Sequence, residues 1–210
     1  MNNPNLHTRR TLMSLKKLIT ILIATVCIGS GVGTILAANI GSDSISVLQD
    51  GMHNILNVSY GQASLLYNII MILVALIFAR KYFATGTIIS ALLTGTFIDL
   101  VNYPLVAILT DISASFLLRL FLFLLGLLIY SLGLSILIGC KLGMYSLDSI
   151  LTVLSNKTTI HYKHLRIATD FILTATGFLL GGVVGVGTII SIGLTGVLID
   201  YLSKLFIRTT

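Results

Sequence analysis

One fifteen-residue segment occurs twice in the chain. GTIISALLTGTFIDL covers residues 86–100, GTIISIGLTGVLIDY covers residues 187–201, and ten positions are identical at a spacing of 101 residues. Both copies are apolar, contain several small residues and end in or next to an acid, Asp99 in the first and Asp200 in the second. Segments this apolar are typical of membrane-spanning helices. The duplication therefore predicts a membrane protein made of two related halves.

The composition favours the same class. Of the 210 residues, 56% are hydrophobic and 10% are charged, whereas about a quarter of the residues in a soluble domain are charged. Thirteen Lys and Arg against seven Asp and no Glu give a net charge of +6. A basic surplus can attract nucleic acid, but in a membrane protein it marks the cytoplasmic ends of helices. We expect a lipid bilayer around the chain and no nucleic-acid partner.

Six apolar runs are long enough to cross a bilayer, because about 20 helical residues span roughly 30 Å of hydrocarbon. Their backbones must satisfy their own hydrogen bonds in lipid, which predicts helices. Residues 1–14 are expected to form a polar tail, and the first run is expected to be a retained helix rather than a cleaved signal peptide. The runs are 18–38, 61–79, 82–100, 116–138, 165–184 and 187–206.

The basic residues predict the orientation of these spans. With the N-terminus in the cytoplasm, twelve of the thirteen Lys and Arg fall on the cytoplasmic side, and only Arg119 falls outside. Both termini are then cytoplasmic. Each half has three spans, so the second half crosses in the opposite sense. The predicted fold is an all-α integral membrane protein of six transmembrane helices, arranged as two inverted-topology three-helix repeats, residues 15–110 and 111–210.

Each half also has a short amphipathic segment between its first and second spans. Residues 41–57 and 143–156 place apolar side chains at spacings of three, four and seven, as one face of a helix requires. Neither segment is long or apolar enough to span the bilayer. Each therefore either lies along the interface or dips into the membrane as a re-entrant helix. If both dip, their N-terminal turns are expected to face each other near the midplane.

The run GSGVGTILAANIGSDSISVLQDGM at residues 29–52, together with GTIISALLTGTFIDL, resembles the YczE/YitT-type family of small bacterial multi-pass membrane proteins. The resemblance extends from about Leu18 to Phe206 and rests on glycine spacings and ridges of small residues. It implies a helical membrane fold in the bacterial cytoplasmic membrane and names no substrate.

The repeated segment contains small residues four positions apart, which form ridges that allow close helix packing in lipid. Each terminal aspartate is then expected to point toward packed protein, where an ionisable group is a candidate for ion or proton coupling. The alternative is structural, with Asp99 near the outer surface and Asp200 paired with Lys204 one turn later. The predicted packing residues are Gly86, Ser90 and Gly95 in the first copy, and Gly187, Ser191 and Gly196 in the second.

Four more candidate binding residues lie at the predicted N-termini of the short helices: Asp43, Ser44, Ser146 and Asp148. Free N–H groups at a helix start suit an anionic group. The alternative is that the two aspartates cap their own helices.

Asn68 and Asp170 occupy matched positions in the second and fifth spans, 102 residues apart. Both are candidate coupling residues. The alternatives are an interhelical hydrogen bond for Asn68 and a local ion pair with Lys163 or Arg166 for Asp170.

No nucleophile, base and acid occur together, and no Cys/His cluster has the spacing of metal ligands. We therefore expect neither an enzyme nor a metal or other cofactor. The inverted repeat with matched acids favours a small secondary transporter or permease-like protein for an unidentified small solute, whose halves rock about a central site. Two alternatives stay open: a non-transporting membrane accessory protein that supports assembly, export or self-protection around a secreted product, and a lipid-binding or lipid-flipping protein. A homodimer or a partner membrane protein fits each of them.

Overall fold

The computed structural model describes residues 15–78, 85–111, 115–140 and 146–207, and these residues form helices joined by short loops. The predicted tail, residues 1–14, lies outside the described residues. The all-helical prediction is confirmed. In chain order, the described helices are α1 (Leu15–Ala38), α2 (Ser44–Leu56), α3 (Tyr60–Phe78), α4 (Thr85–Asp111), α5 (Phe116–Gly139), α6 (Ser146–Lys157), α7 (Tyr162–Leu179) and α8 (Val186–Ile207).

Five of the described helices are long and apolar enough to cross a membrane: α1, α3, α4, α5 and α8. The fifth predicted span, 165–184, corresponds to α7, which is not among them. It ends at Leu179, earlier than expected, and its 18 residues include the charged Arg166 and Asp170. The two short amphipathic segments are helices, α2 and α6, as their periodicity predicts.

The predicted end of the third span, residue 100, is wrong. Helix α4 continues to Asp111 with Pro104 inside it. The residues after Leu100 are largely apolar, so the helix can continue in lipid, and a proline is tolerated in a membrane helix where neighbouring groups satisfy the freed carbonyl. As a result, Asp99 lies about 18 Å before the C-terminal end of α4, at 1.5 Å per residue.

The helices form two groups of four. Helices α1, α4, α5 and α8 surround one apolar core, in which α1 and α5 cross in antiparallel directions. Glycines allow this close approach, because a methyl group at Gly126 would lie 2.8 Å from Gly31 O, and one at Gly133 would lie 2.7 Å from Ala24 O. Helices α2, α3, α6 and α7 surround a second, smaller apolar cluster that includes Ile45, Tyr67, Leu147 and Leu151.

The contacts between helices repeat in the two halves of the chain. Helix α1 packs along α4, and α5 packs along α8; α2 packs on α7, and α3 packs on α6. The pairs α2–α3 and α6–α7 also both pack. One contact breaks this correspondence: α3 packs along α4, whereas among the described residues α7 does not pack comparably along α8.

Two glycines of the repeated segment show the difference between the packing of α4 and that of α8. Gly95 on α4 packs against the backbone of Gly61 on α3. Its counterpart on α8, Gly196, has no neighbouring atom within 4 Å of the position a methyl group would take. The predicted packing role is therefore wrong for Gly196, because no described helix covers that face of α8.

We predict opposite effects for a methyl group at these two positions. Gly95→Ala forces α3 away from α4 and should destabilise the fold by about 1–3 kcal/mol. Gly196→Ala meets no neighbour and should be neutral or slightly stabilising, because alanine is the better helix former by about 1 kcal/mol. Thermal unfolding of the two purified variants in the same detergent measures this, and equal losses of stability would contradict the packing described here.

Candidate functional site

Helix α2 begins inside the helical assembly, because the loop after α1 folds back onto the start of α8. Ile40 O accepts a hydrogen bond from Gly187 N at 2.7 Å, and Ser42 N donates to Thr188 Oγ1 at 3.2 Å. Gly41 has a φ of +108°, a conformation that favours glycine. The chain then enters α2 at Ser44, beside Asp170 in the middle of α7.

Asp43 caps α2. Its backbone is extended, and its Oδ2 accepts a hydrogen bond from Ser46 N at 3.4 Å. The capping interpretation is therefore confirmed for Asp43. Its second oxygen, Oδ1, is buried and has no hydrogen-bond partner among the described residues. Burial raises the pKa of Asp43, while its hydrogen bonds with Ser46 and the nearby Arg166 lower it.

Asp170 is held from two sides. The Ser44 hydroxyl donates to Oδ1, and Arg166 Nε donates to Oδ2 at 2.9 Å. The predicted local ion pair is confirmed, and in addition Asp170 joins α7 to the first turn of α2. The negative charge of Asp170 raises the pKa of Asp43, whereas the positive charge of Arg166 lowers it. Arg166 is therefore a cation near two carboxylates. We call Asp43, Ser44, Arg166 and Asp170 the α2 cluster.

The positions that match Ser44 and Asp170 at the 102-residue spacing carry uncharged residues, Ser146 and Asn68. Ser146, the first residue of α6, is buried, and so is Asn68 on α3. Asn68 Nδ2 donates to Ala91 O on α4 at 3.2 Å, which is the interhelical bond expected as its alternative role. Asp148 is the third residue of α6 and thus not its cap; its side chain lies outside what the structure describes. The two short helices rest on different partners, α2 on α7 and α6 on α3.

Asp99 links α3 to α4. Its Oδ1 accepts a hydrogen bond from Gly61 N at 2.8 Å, and its Oδ2 accepts one from the Ser59 hydroxyl. These donors lie at the start of α3, where a carboxylate is favoured by the free N–H groups and the helix dipole. The geometry agrees with a structural role.

Asp200 is exposed and pairs with Lys204 at 2.6 Å within α8. The expectation that it points toward packed protein is wrong, since the face of α8 around Gly196 is uncovered. The other predicted packing residues of the repeat are buried: Gly86, Ser90, Gly95, Gly187 and Ser191.

A cavity of about 230 Å³ lies between α1, α4 and α5, and the loop that leads into α2 forms part of its wall. Its rim residues Asn39, Val106 and Thr110 are exposed, whereas Ser42 and Tyr60 are buried, so the cavity extends inward from the surface. We call it the outer cavity, after the side on which the orientation predicted from the basic residues would place it. Its polar lining consists of Asn39, Ser42, Asp50, Tyr60, Asn102, Thr110 and Arg119.

Two charged residues of opposite sign line the outer cavity. Arg119 donates from Nη1 to Ala38 O at 3.2 Å, and Asp50 Oδ2 accepts from Val183 N at 2.8 Å. Burial raises the pKa of Asp50, while the Val183 hydrogen bond and the nearby His53 lower it. Sequence reasoning had marked Arg119 only as the one basic residue on the outer side, and it missed the cavity, because Asn102 and Asp50 belong to no recognisable motif.

The model of a family of unknown function, DUF6198, matches residues 15–204. The chain belongs to this family. An uncharacterized protein of Haemophilus influenzae is 25% identical over 193 residues, which cover 92% of this chain and 86% of the relative. The uncharacterized membrane protein YczE of Bacillus subtilis is also 25% identical, over 67% of this chain and 63% of its own length. The resemblance to a YczE-like family is thus confirmed, and no solved structure matches the chain.

We predict that Ser44 and Asp170 are energetically coupled in this member of the family. Ser44→Ala removes the donor to a half-buried carboxylate and should cost about 1–2 kcal/mol. When Asp170→Asn is already present, Ser44→Ala should cost clearly less, because the charge that it served is gone.

A double-mutant cycle based on unfolding in detergent measures this coupling. Asp200→Asn is the matched control, since Asp200 is also in an i,i+4 ion pair, but its exposed side chain bonds within α8 in the described part of the chain. Its effect should add to that of Ser44→Ala. Additivity of Ser44→Ala with Asp170→Asn as well would contradict the contact between α2 and α7.

Proposed function

We propose that the chain is a small secondary transporter or permease-like protein, not an enzyme, that moves a small polar solute across the bacterial cytoplasmic membrane. It would consist of two inverted repeats, residues 15–110 and 111–210, with six spans of which α7 is the fifth, and both termini in the cytoplasm. In such proteins the binding and coupling groups lie near the bilayer midplane, where short or broken helices meet the repeat interface.

The observation that carries this proposal is the α2 cluster. Three charged side chains, Asp43, Arg166 and Asp170, gather around the first turn of a short helix that starts at the middle of α7. Ionisable groups inside a membrane protein are costly, and they commonly mark ion or solute pathways. The buried Oδ1 of Asp43, to which no described residue donates a hydrogen bond, gives the cluster a place for a proton or a small cation.

The exchange symmetry of the helix contacts supports an inverted repeat. Swapping the two halves turns α1–α4 into α5–α8 and α2–α7 into α6–α3, and these contacts are present in both forms. The contact between α1 and α5 is unchanged by this swap, because α1 and α5 take each other's place. This pattern is what a pseudo-two-fold axis in the membrane plane requires.

The contact between α3 and α4, which has no close counterpart between α7 and α8, supports a rocking mechanism. In alternating access the two repeats exchange their arrangements, so the other state would bring α7 against α8 and loosen α3 from α4. The contact between α7 and α8 would then involve the segment from Gly196 to Asp200. Lys163 on α7 matches Gly61 on α3 at the 102-residue spacing, so this contact would have a lysine at the position that Gly61 occupies in the contact between α3 and α4.

The direct test is uptake into proteoliposomes with an imposed proton or sodium gradient, using radiolabelled sugars, amino acids, carboxylic acids and inorganic cations. We expect uptake of at least one solute by the wild type. Asp43→Asn and Asp170→Asn should lower it at least tenfold, because each removes a charge from the α2 cluster. Asp200→Asn and Asp99→Asn should leave the coupling to the gradient intact.

Two outcomes would contradict this proposal. The first is uptake that survives both substitutions in the α2 cluster, which would remove these acids from the mechanism. The second is the absence of uptake by folded protein, together with a stable complex with another membrane protein or with co-purified lipid, which would support the accessory or lipid-binding function instead.

A leucine pair tests the rocking mechanism. Gly196→Leu and Gly193→Leu both place a bulky side chain where no atom lies within 4 Å, so both variants should fold. Gly193 corresponds to Leu92, which is exposed in the first half, whereas Gly196 corresponds to the packed Gly95. We therefore expect loss of uptake only for Gly196→Leu, and equal uptake by the two variants would contradict the exchange of arrangements.

A further inference from the structure

We infer that Asp43 is a proton-binding site, with the proton on its buried Oδ1, and that the proton is the coupling ion of this chain. The statement about the coupling ion rests on the proposed function, because coupling requires transport. The statement about Asp43 does not, since proton binding can be measured on the purified protein without any solute.

The surroundings of Asp43 leave one carboxyl oxygen for a proton. Oδ2 accepts the hydrogen bond from Ser46 N that caps α2, whereas Oδ1 is buried and no described residue donates to it. The neighbours of Asp43 in the chain, Ser42 and Ser44, are both buried. A buried carboxylate oxygen without a hydrogen bond is costly, and a proton on Oδ1 removes the charge that makes it so.

The charges that act on Asp43 come from α7. Arg166 and Asp170 act on it with opposite signs, so one cation serves two anions when both carboxyl groups are ionised. Arg166 donates from Nε to Asp170 at 2.9 Å. Burial has the largest influence on the pKa of Asp43 and raises it; Ser46 and Arg166 lower the pKa, and Asp170 raises it. A neutral Asp43 leaves Arg166 and Asp170 as a balanced pair.

The other described elements near Asp43 carry few titratable groups. Helix α3 has no charged residue, and its Tyr60 hydroxyl donates to a backbone carbonyl in the first turn of α2 at 3.2 Å. The first three turns of α8 have no charged residue. Asp50 and His53 lie two to three turns further along α2, and on α6 the side chain of Asp148 lies outside what the structure describes.

The oxygen atoms of the α2 cluster suit a proton better than a metal ion. A metal cation such as calcium or magnesium takes several oxygen ligands, but both oxygens of Asp170 already accept hydrogen bonds, from Ser44 and Arg166. The positive charge of Arg166 also repels a second cation. A proton, in contrast, needs one lone pair, and Asp43 Oδ1 offers one.

The outer cavity gives a proton a route to this site. Ser42 lines the cavity and directly precedes Asp43, and the rim residues Asn39 and Thr110 are exposed. Water that enters the cavity therefore reaches the residue next to Asp43.

Proton binding changes the attraction between two helices. Ionised Asp43 at the start of α2 attracts Arg166 on α7, and protonated Asp43 does not. In the rocking mechanism α7 has to move against α8, so the protonated state is the one in which α2 holds α7 less tightly. A bound proton would in this way be coupled to the change of state.

Infrared difference spectroscopy tests proton binding on the full chain in nanodiscs. The carbonyl stretching band of a protonated carboxyl group is separate from the bands of a carboxylate, and it moves when H₂O is replaced by D₂O. We expect the wild type to show such a band that disappears only at a pH above the range of an exposed aspartate, whose pKa is about 3.9.

Three variants assign the band. Asp43→Asn should abolish it in a folded protein, because asparagine also caps a helix but takes up no proton. Asp170→Asn should move its titration to lower pH by about one unit, because a neighbouring negative charge is gone. Asp200→Asn is the matched control and should leave the band unchanged, since Asp200 is exposed and pairs with Lys204.

Three results would overturn the inference. They are a wild type without the band, a band that survives Asp43→Asn, and a titration that moves to lower pH when sodium chloride replaces choline chloride at the same ionic strength. The last result would mean that sodium competes for the site. If Asp43→Asn fails to fold, the titration of Asp170→Asn decides, and an unchanged titration there would also remove the inference.

Uptake into proteoliposomes separates this inference from the proposed function. We expect a proton gradient, and not a sodium gradient, to drive uptake. Sodium-driven uptake by a protein whose Asp43 takes up no proton would leave the transporter intact and remove only this inference. A proton on Asp43 in a protein that takes up no solute would leave the proton site intact and remove the transporter together with the coupling.

Discussion

The close antiparallel crossing of α1 and α5 is the contact on which the other contacts depend. In lipid there is little hydrophobic drive for helices to associate, so van der Waals packing of small residues has to supply it. Glycines at positions 31, 126 and 133 let the two backbones approach closely. Because this crossing lies at the centre of the first group, it fixes where α4 and α8 pack on either side.

The loop that follows α1 positions the candidate site residues. The loop after α1 must fold back onto the start of α8, since Ile40 and Ser42 bond to Gly187 and Thr188. Helix α2 thereby follows the C-terminal end of α1 and packs on α7. Its first turn meets Asp170, and its second turn presents Asp50 to the outer cavity. A single short helix therefore borders both polar regions of the molecule.

Much of the fold could be predicted from the sequence, because apolar run length and periodicity report directly on helices in lipid. The residues of the site were harder to rank. Asp99 and Asp200 stand out through the repeat, yet Asp99 bonds to the start of α3 and Asp200 is exposed. The environments of the two side chains differ because α3 covers α4 whereas no described helix covers the matching face of α8. No local sequence pattern encodes such a tertiary contact. The hydrogen bond between Ser44 and Asp170, 126 residues apart, depends in the same way on how the loop after α1 folds.

The inverted arrangement of the halves is the central claim, and accessibility labelling tests it most directly. Asn57 directly follows α2, Thr159 is the second residue after α6, and both are exposed; the two positions match at the 102-residue spacing. After Cys27 and Cys140 are replaced, a single cysteine is placed at each position and treated with a membrane-impermeant thiol reagent. The account predicts that intact cells label the cysteine at position 57, and that only permeabilised cells label the one at position 159. Labelling of both from the same side would contradict it.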